Sequence, residues 1–302
     1  MVKVEKLLTF TGHKDAVYTL EFSSSPDIFY SSGGDGHVVA WDINNPTSGR
    51  LIAKVSASVY ALHYLKEKNW LVVGQNYDGI HIIDLETNKE YASLRLTEDA
   101  IFEMKAMGDL LLVAAAKGQF FVVDLVKMII IKELKIGEQN LRDIFIQDEK
   151  YFYVASSDGF IRKFQWSNFQ CVDEVHGHDP AAFSVLMPHN QSGMVSAGRD
   201  AKIKFWDVNS GFDLQETVNA HMYAINDIAF SPSAEYFATA SMDKTIKIWD
   251  YSQRKLLKVI DKARHDGHRT SVNKLLWMAE RDLLVSCSDD RSIGVWRLDI
   301  DK

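Results

Sequence analysis

The stretch Tyr236–Tyr251, which reads YFATASMDKTIKIWDY, carries the strongest structural signal in the chain. Two runs rich in β-branched and aromatic residues, Tyr236–Ala240 and Thr245–Trp249, flank a turn at Met242-Asp243-Lys244. This pattern predicts an antiparallel hairpin. Both alternating faces of the second run carry apolar side chains, so the sheet is expected to be covered on both sides.

Four polar residue types recur at fixed distances along the chain. A His lies 28 residues before a Trp in four pairs, which are His13 and Trp41, His178 and Trp206, His221 and Trp249, and His268 and Trp296. An Asp lies six residues before each Trp, at Asp35, Asp200, Asp243 and Asp290. A Ser or Thr lies ten residues before each Trp, at Ser31, Ser196, Thr239 and Ser286. These constant spacings indicate an internal repeat.

The repeat resembles that of the WD-repeat β-propeller family. It begins with Gly-His, as in Gly12-His13, and ends with Trp-Asp, as in Trp41-Asp42. The resemblance implies that each intact unit is one blade of a ring and holds a hydrogen-bonded tetrad. An indole N–H can donate to the hydroxyl, the hydroxyl to one ring nitrogen of His, and the other ring nitrogen to Asp. Because the set occurs four times, we interpret it as scaffold chemistry and not as a hydrolytic triad, and we predict no catalytic residue.

The spacing of the units predicts seven blades. Three units lack the tetrad and end at Ile83-Asp84, Val123-Asp124 and Phe164-Gln165, where we expect dry apolar packing in its place. The units are expected to end near residues 42, 84, 124, 165, 207, 250 and 297. The predicted fold is therefore all-β, a single seven-bladed β-propeller domain over residues 1–302, built from four-stranded antiparallel blades.

The two ends of the chain are expected to close the ring. Val2–Phe10 is typical of a lone strand, and the last unit stops shortly after its third strand. Pairing the N-terminal strand into the last blade would remove an exposed sheet edge. The longest step between units falls at Asp261–His268, which we interpret as an extended charged loop.

Composition limits the compartment and the partners. A net charge of −7 and a pI near 5.8 give no general attraction to nucleic acid or to acidic membranes. The N-terminus lacks a signal-peptide pattern and no apolar run is long enough to span a bilayer, so we predict a cytoplasmic protein with Cys171 and Cys287 reduced. Asn190-Gln191-Ser192 matches a glycosylation sequon that such a protein would not use.

Known cofactor motifs are absent from the sequence. It contains no G-x-S-x-G, no Walker-type phosphate loop and no dinucleotide G-x-G-x-x-G, so we predict no cofactor. His265 and His268 are three residues apart, but His268 belongs to a tetrad and no Cys lies nearby. We therefore predict no metal site.

One position in each unit is a candidate for partner binding. The first strand reads apolar-x-x-apolar-x-apolar, as in Val17, Leu20 and Phe22, which predicts a bulge that redirects one side chain. Across the seven units that side chain is Tyr18, Tyr60, Phe102, Arg142, Phe183, Asn226 and Asn273. Aromatic residues and arginine are enriched at interface hot spots. The family resemblance implies a binding face that carries the His loops and Asp turns, where Arg199 and Met242 are also expected.

We therefore predict a non-catalytic, monomeric scaffold that binds a partner protein or peptide. In one alternative the ring-position aromatics only pack against neighbouring first strands. In a second, the protein is an enzyme or small-molecule sensor that uses the central channel, although its candidate acids show no shared register; they are Glu21, Glu103, Asp143 and Asp227. A third alternative is nucleic-acid binding through a basic face.

Overall fold

A computed structural model describes residues 2–188 and 193–300. The glycosylation sequon Asn190-Gln191-Ser192 lies outside these described residues. The chain forms seven antiparallel sheets of four strands each, arranged as the blades of a ring. The predicted all-β, seven-bladed architecture is confirmed.

Each of the first six blades uses four consecutive strands. The chain begins with the closing strand β1 (Val2–Thr11), which precedes blade one. Blades one to three contain β2 (Val17–Phe22), β3 (Ile28–Gly33), β4 (His37–Asp42), β5 (Asn45–Lys54), β6 (Val59–Leu65), β7 (Trp70–Gln75), β8 (Gly79–Asp84), β9 (Lys89–Arg95), β10 (Ile101–Met107), β11 (Leu110–Ala115), β12 (Gln119–Asp124) and β13 (Ile129–Lys135). Blades four to six contain β14 (Leu141–Ile146), β15 (Tyr151–Ser156), β16 (Phe160–Gln165), β17 (Cys171–His176), β18 (Ala182–Leu186), β19 (Gly193–Gly198), β20 (Lys202–Asp207), β21 (Asp213–Asn219), β22 (Ile225–Phe230), β23 (Tyr236–Ser241), β24 (Ile246–Asp250) and β25 (Lys255–Ile260). Blade seven contains β26 (Val272–Met278), β27 (Leu283–Ser288) and β28 (Ser292–Ile300).

The closing strand β1 does not belong to blade one. It pairs antiparallel with β28 from Val2 opposite Ile300 to Thr11 opposite Ser292, so the strand order in blade seven is β1-β28-β27-β26. The two ends of the chain are thus hydrogen-bonded to each other. The predicted closure of the ring is confirmed.

The hydrophobic core is divided among the contacts between neighbouring blades. Between blades three and four, for example, Phe120 packs against Phe152 and Phe164 with ring centroids 5.7 and 6.3 Å away. The first strand of each blade contacts the first strands of its neighbours and lines the central channel. Each sheet is therefore packed between its two neighbouring blades.

The charged segment before blade seven is not wholly a loop. Residues Lys262–His265 form a short helix, α1, and the Asp261 carboxylate accepts a hydrogen bond from the Arg264 backbone N–H at 2.8 Å. An Asp at the N-cap satisfies a free N–H in this way and stabilises the turn. The expectation of an extended loop over Asp261–His268 is wrong at these four residues.

Candidate partner-binding site

The four predicted tetrads are formed. In each, the Trp Nε1–H donates to the Ser or Thr hydroxyl at 2.7–3.0 Å, and that oxygen lies 2.7–2.8 Å from the His Nε2. The His Nδ1 lies 2.8–3.3 Å from a carboxylate oxygen of its Asp. These bonds tie the second and third strands of a blade to the loop that precedes its first strand. Every hydroxyl is engaged between two partners, so the set acts as scaffold.

Burial shifts the pKa of the His side chain in three of the tetrads. It lowers the pKa of His13, His178 and His221 below the ordinary value of 6.5, although the neighbouring carboxylates oppose the change. Burial would raise the pKa of Asp200, but hydrogen bonds, above all that from His178, hold it below its ordinary value. These three tetrads therefore pair a neutral imidazole with an ionised carboxylate at neutral pH.

The fold is expected to lose stability when the pH falls from 7.5 to 6. The unfolded chain binds protons at its His side chains near pH 6.5, whereas the three buried imidazoles stay neutral, so stability is present above that pH and is lost below it. Burial raises the pKa of Asp143 to about 6, which acts in the opposite direction but involves fewer groups. Urea unfolding should show a net loss of roughly 1–2 kcal/mol. An unchanged or higher stability at pH 6 would contradict the neutral tetrads.

Blades two to four replace the tetrads only partly with apolar packing. Ile83, Val123 and Phe164 are buried, as expected. In blade four, however, Asp158 accepts hydrogen bonds from Ser156 and from Arg162, whose Nη2 lies 2.7 Å from Asp158 Oδ2. In blade three, Thr97 donates to Gln119 at 2.6 Å, and in blade two Gln75 donates to Ser56 at 3.2 Å. The expectation of dry packing is wrong at these loops, because their backbone turns still need polar partners.

The predicted bulge is present in all seven first strands. In β2, for example, Val17 pairs with Gly33 and Thr19 with Ser32, which leaves Tyr18 without a partner. The unpaired residues of the seven strands are Tyr18, Tyr60, Phe102, Arg142, Phe183, Asn226 and Asn273. They lie at the start of the first strands, beside the His loops and Asp turns. We call this side of the ring the His-loop face, and its opening the channel mouth.

Five of these side chains form one continuous stack at the channel mouth. The Tyr18 and Tyr60 rings lie 4.7 Å apart, and the Tyr60 and Phe102 rings 5.6 Å apart. The Arg142 guanidinium carbon lies 4.5 Å from the Phe102 ring centre and 4.7 Å from that of Phe183. All five are partly buried. The side chains thus pack on one another and also keep surface open to solvent.

The two asparagines at the ring position have a structural role. Asn226 donates to the Val272 carbonyl at 2.8 Å, and Asn273 donates to the Val17 carbonyl at 2.9 Å. Each amide therefore joins its blade to the next. Asn273 also donates to Asp289 at 2.7 Å, which holds a carboxylate beside the mouth.

Blade six adds an exposed apolar patch to the His-loop face. Met242 is exposed in the turn after β23, and Arg199 is exposed in the equivalent turn of blade five. The loop before β22 exposes Met222 (82%) and Tyr223 (65%), which the sequence prediction missed. Met242 N–H donates to the Ala224 carbonyl at 2.9 Å, which joins this loop to the turn. We call Met222, Tyr223 and Met242 the blade-six patch.

Three of the four acidic residues predicted to line the channel share one register. Glu103, Asp143 and Asp227 each follow the bulged residue directly, so all three enter the channel at one level. The sequence analysis missed this common level because it also included Glu21, which lies two residues further along its strand. At the same level, Lys274 Nζ lies 3.1 Å from Glu103 and 3.3 Å from Asp227.

Glu103 and Asp227 are paired with Lys274, and Asp143 is held by a backbone N–H. Lys274 in blade seven reaches Glu103 in blade three, so this ion pair crosses the channel. The Asp143 carboxylate accepts from the Val185 N–H, and the Asp227 carboxylate accepts from the Leu275 N–H, both at 2.8 Å. Burial raises the pKa of both aspartates. The level acts as an internal brace between blades.

A cavity of about 990 Å³ opens at the opposite end of the channel. Its walls include apolar side chains from the far ends of the first strands, such as Phe22, Ile146, Phe230 and Trp277.

Among the described residues, no three His, Cys, Asp or Glu side chains are placed to hold a metal ion. His268 contacts Ser286 and Asp290 in its tetrad.

Comparison with known proteins gives one family model and several relatives. The model described as "WD domain, G-beta repeat" matches residues 4–42, 169–207, 212–250 and 259–297, together just over half of the chain. These are the four units with complete tetrads.

Within the described residues, no helix has both the length and the apolar composition needed to cross a bilayer.

The curated relatives are longer proteins. The chain is 23% identical over 296 residues to Actin-interacting protein 1 of Caenorhabditis elegans, an alignment that covers 95% of this chain and 47% of that protein. It is 24% identical over 344 residues to Periodic tryptophan protein 2 of Saccharomyces cerevisiae, covering 96% of this chain and 34% of that protein. The chain thus spans about half or less of the length of these relatives. The WD40 β-propeller domain of Doa1 superposes with a TM-score of 0.86 at 18% identity, covering 98% of this chain and 97% of that domain, a similarity of fold.

Proposed function

Because this chain belongs to the WD40-repeat family of β-propellers, we propose that it is a non-catalytic scaffold that holds a segment of a partner protein on its His-loop face. Proteins with WD40 propellers that are similar to this chain are typically interaction scaffolds or components of complexes. One of them, Actin-interacting protein 1, is named for contact with another protein. A rigid ring that presents fixed side chains binds with little ordering cost.

One observation supports this face above others. The stack of Tyr18, Tyr60, Phe102, Arg142 and Phe183 spans five consecutive blades at the channel mouth, and the blade-six patch extends the apolar surface beside it. Exposed apolar patches with aromatic and arginine neighbours are typical of interaction sites. We propose that the partner segment lies across the stack and reaches the patch, with Arg199 at its edge.

The channel supports an enzyme or a small-molecule sensor less well. Among the described residues, Lys274, Glu103, Asp143 and Asp227 are already bonded to each other or to backbone N–H groups, which leaves them poorly placed to act on a substrate. We further propose that the protein works as a single ring in the cytoplasm, where the free thiols of Cys171 and Cys287 would stay reduced. Its net charge of −7 favours a protein partner over nucleic acid.

Photo-crosslinking tests the proposed face. A benzophenone amino acid replaces Tyr223, which is 65% exposed on the His-loop face, or Phe22, which is 47% exposed at the opposite mouth. Both proteins are irradiated in native lysate. We expect one discrete protein adduct from position 223 and none of that mass from position 22, because only the first position lies beside the stack.

A further inference from the structure

We propose that Arg142 is the docking point for the carboxylate of an acidic side chain in the partner segment. This inference rests on the proposed function, because it names the chemistry that the same channel mouth would recognise. Three observations support it. The Arg142 side chain contacts aromatic rings, it has no counter-ion among the described residues, and carboxylates lie near it.

The Arg142 guanidinium lies next to aromatic rings of both neighbouring blades. Its central carbon lies 4.5 Å from the ring centre of Phe102 and 4.7 Å from that of Phe183. Such contacts orient the guanidinium. The N–H donors along its edge remain, and these are the groups that bind a carboxylate with two parallel hydrogen bonds.

Arg142 lacks the partner that comparable arginines have. Of the arginines in the described residues, Arg142, Arg162 and Arg254 are partly buried, while the others are exposed. Arg162 is paired with Asp158 at 2.7 Å, and Arg254 with Glu216 at 3.2 Å. The Arg142 side chain makes neither an ion pair nor a hydrogen bond to any described residue. A partly buried charge without a counter-ion is costly, so an incoming carboxylate would gain from pairing with it.

The surroundings favour a single negative charge over a phosphate dianion. Asp143 lies next to Arg142 in the chain, and Asp289 is held at the mouth by Asn273 at 2.7 Å. These carboxylates would repel a second negative charge on the ligand. A single guanidinium matches one carboxylate in charge and in shape.

The stack also predicts which kind of residue flanks the acidic residue of the bound partner segment. On one side of Arg142 it continues through Phe102 to Tyr60 and Tyr18, whereas on the other side it ends at Phe183. The Tyr60 hydroxyl makes no side-chain hydrogen bond among the described residues. We therefore expect a bound segment to place an apolar or aromatic residue beside its acidic one, against these aromatic rings.

A peptide selection tests the inference without knowledge of the partner. Random dodecapeptides displayed on phage are selected on the wild-type protein, and the enriched sequences are synthesised with amidated C-termini. In each binder every Asp or Glu is replaced by Asn or Gln. We expect one such replacement to weaken binding to the wild type 10–100-fold, which corresponds to one charged hydrogen-bonded contact.

The Arg142→Gln variant identifies the contact. It should bind the acidic peptide as weakly as the wild type binds the amide version, and it should not distinguish the two peptides. Arg269→Gln is the matched control, since Arg269 is an exposed arginine in the His loop of blade seven on the same face, and it should retain wild-type discrimination. Melting temperatures confirm folding, and the peptide replacements measured on the wild type need no protein variant.

Distinct results would overturn the inference or the function. Peptides that lose binding on Tyr60→Ala but show no dependence on an acidic residue would refute the role of Arg142 and leave the scaffold function standing. Tighter binding of phosphoserine than of Glu, or binding that requires a free C-terminus, would replace the side-chain carboxylate with another anion. A failure to select any peptide on the wild type would count against both proposals.

Discussion

Replacement of Lys274 by Met is expected to destabilise the fold by about 2–4 kcal/mol. The ammonium group lies between Glu103 and Asp227, whose side chains are only 7% and 6% exposed. Its loss removes the counter-ion that the two buried carboxylates share, while Glu103 keeps Lys105 Nζ at 3.6 Å and Asp227 keeps the hydrogen bond from Leu275 N–H. The effect stays below that of a fully buried pair because the Lys274 side chain is 26% exposed. Urea unfolding monitored by tryptophan fluorescence measures it.

Lys68→Met is the matched control for Lys274. Lys68 forms an ion pair with Asp109 at 2.8 Å, but Asp109 is 56% exposed at the surface. Exposed pairs contribute little, so this variant should change stability by less than about 1 kcal/mol. Equal effects of the two substitutions would contradict the bracing role of the channel ion pair.

Replacement of Ser196 by Ala is expected to cost about 2–3 kcal/mol, because two buried groups lose their partner at once. The Ser196 hydroxyl accepts from Trp206 Nε1–H at 2.8 Å and lies 2.8 Å from His178 Nε2. Without it, an indole N–H and an imidazole nitrogen remain unpaired in the interior of blade five. Thermal and urea unfolding of the variant measure the loss.

Ser184→Ala provides the comparison within the same blade. Both Ser184 and Ser196 are buried, but the Ser184 side chain makes no hydrogen bond to any described residue. Its removal should cost less than about 1 kcal/mol. If Ser196→Ala were as mild as Ser184→Ala, the tetrads would not hold the blades together.

The sequence predicts the fold well because the signal is repeated. A His, a Ser or Thr, an Asp and a Trp at constant spacing report the same local geometry four times, and the apolar strands of the incomplete units keep the period. The bulge could also be predicted, since apolar-x-x-apolar breaks strict alternation at one defined place. Ring closure follows from a strand at each end of the chain.

The shared level of three channel acids was missed because Glu21 lies two residues further along its strand. The bulge falls at the same place in every first strand, so counting from it aligns the channel positions of all seven blades. Counting from Tyr18, Phe102 and Arg142 places Glu103 and Asp143 together. That Lys274 then crosses the channel depends on ring geometry that no local pattern encodes.

The sequence analysis also missed the short helix α1 and two exposed apolar residues of the blade-six patch. Helix α1 has four residues, too few for a periodic pattern, and only its Asp261 cap signals it. Met222 and Tyr223 follow the tetrad residue His221, at a place where blades one and seven have Lys14 and Arg269. Two apolar residues in an exposed loop were a signal available in the sequence.

The most direct test of the scaffold function is the crosslinking comparison between positions 223 and 22. We predict that a single partner protein is captured from the His-loop face, and that the combined Tyr60→Ala, Phe102→Ala and Arg142→Ala substitutions abolish this adduct while the melting temperature stays within a few degrees of the wild type. Capture from position 22 alone would place the partner at the opposite mouth, and an adduct at 223 that survives the triple substitution would show that the stack does not bind it.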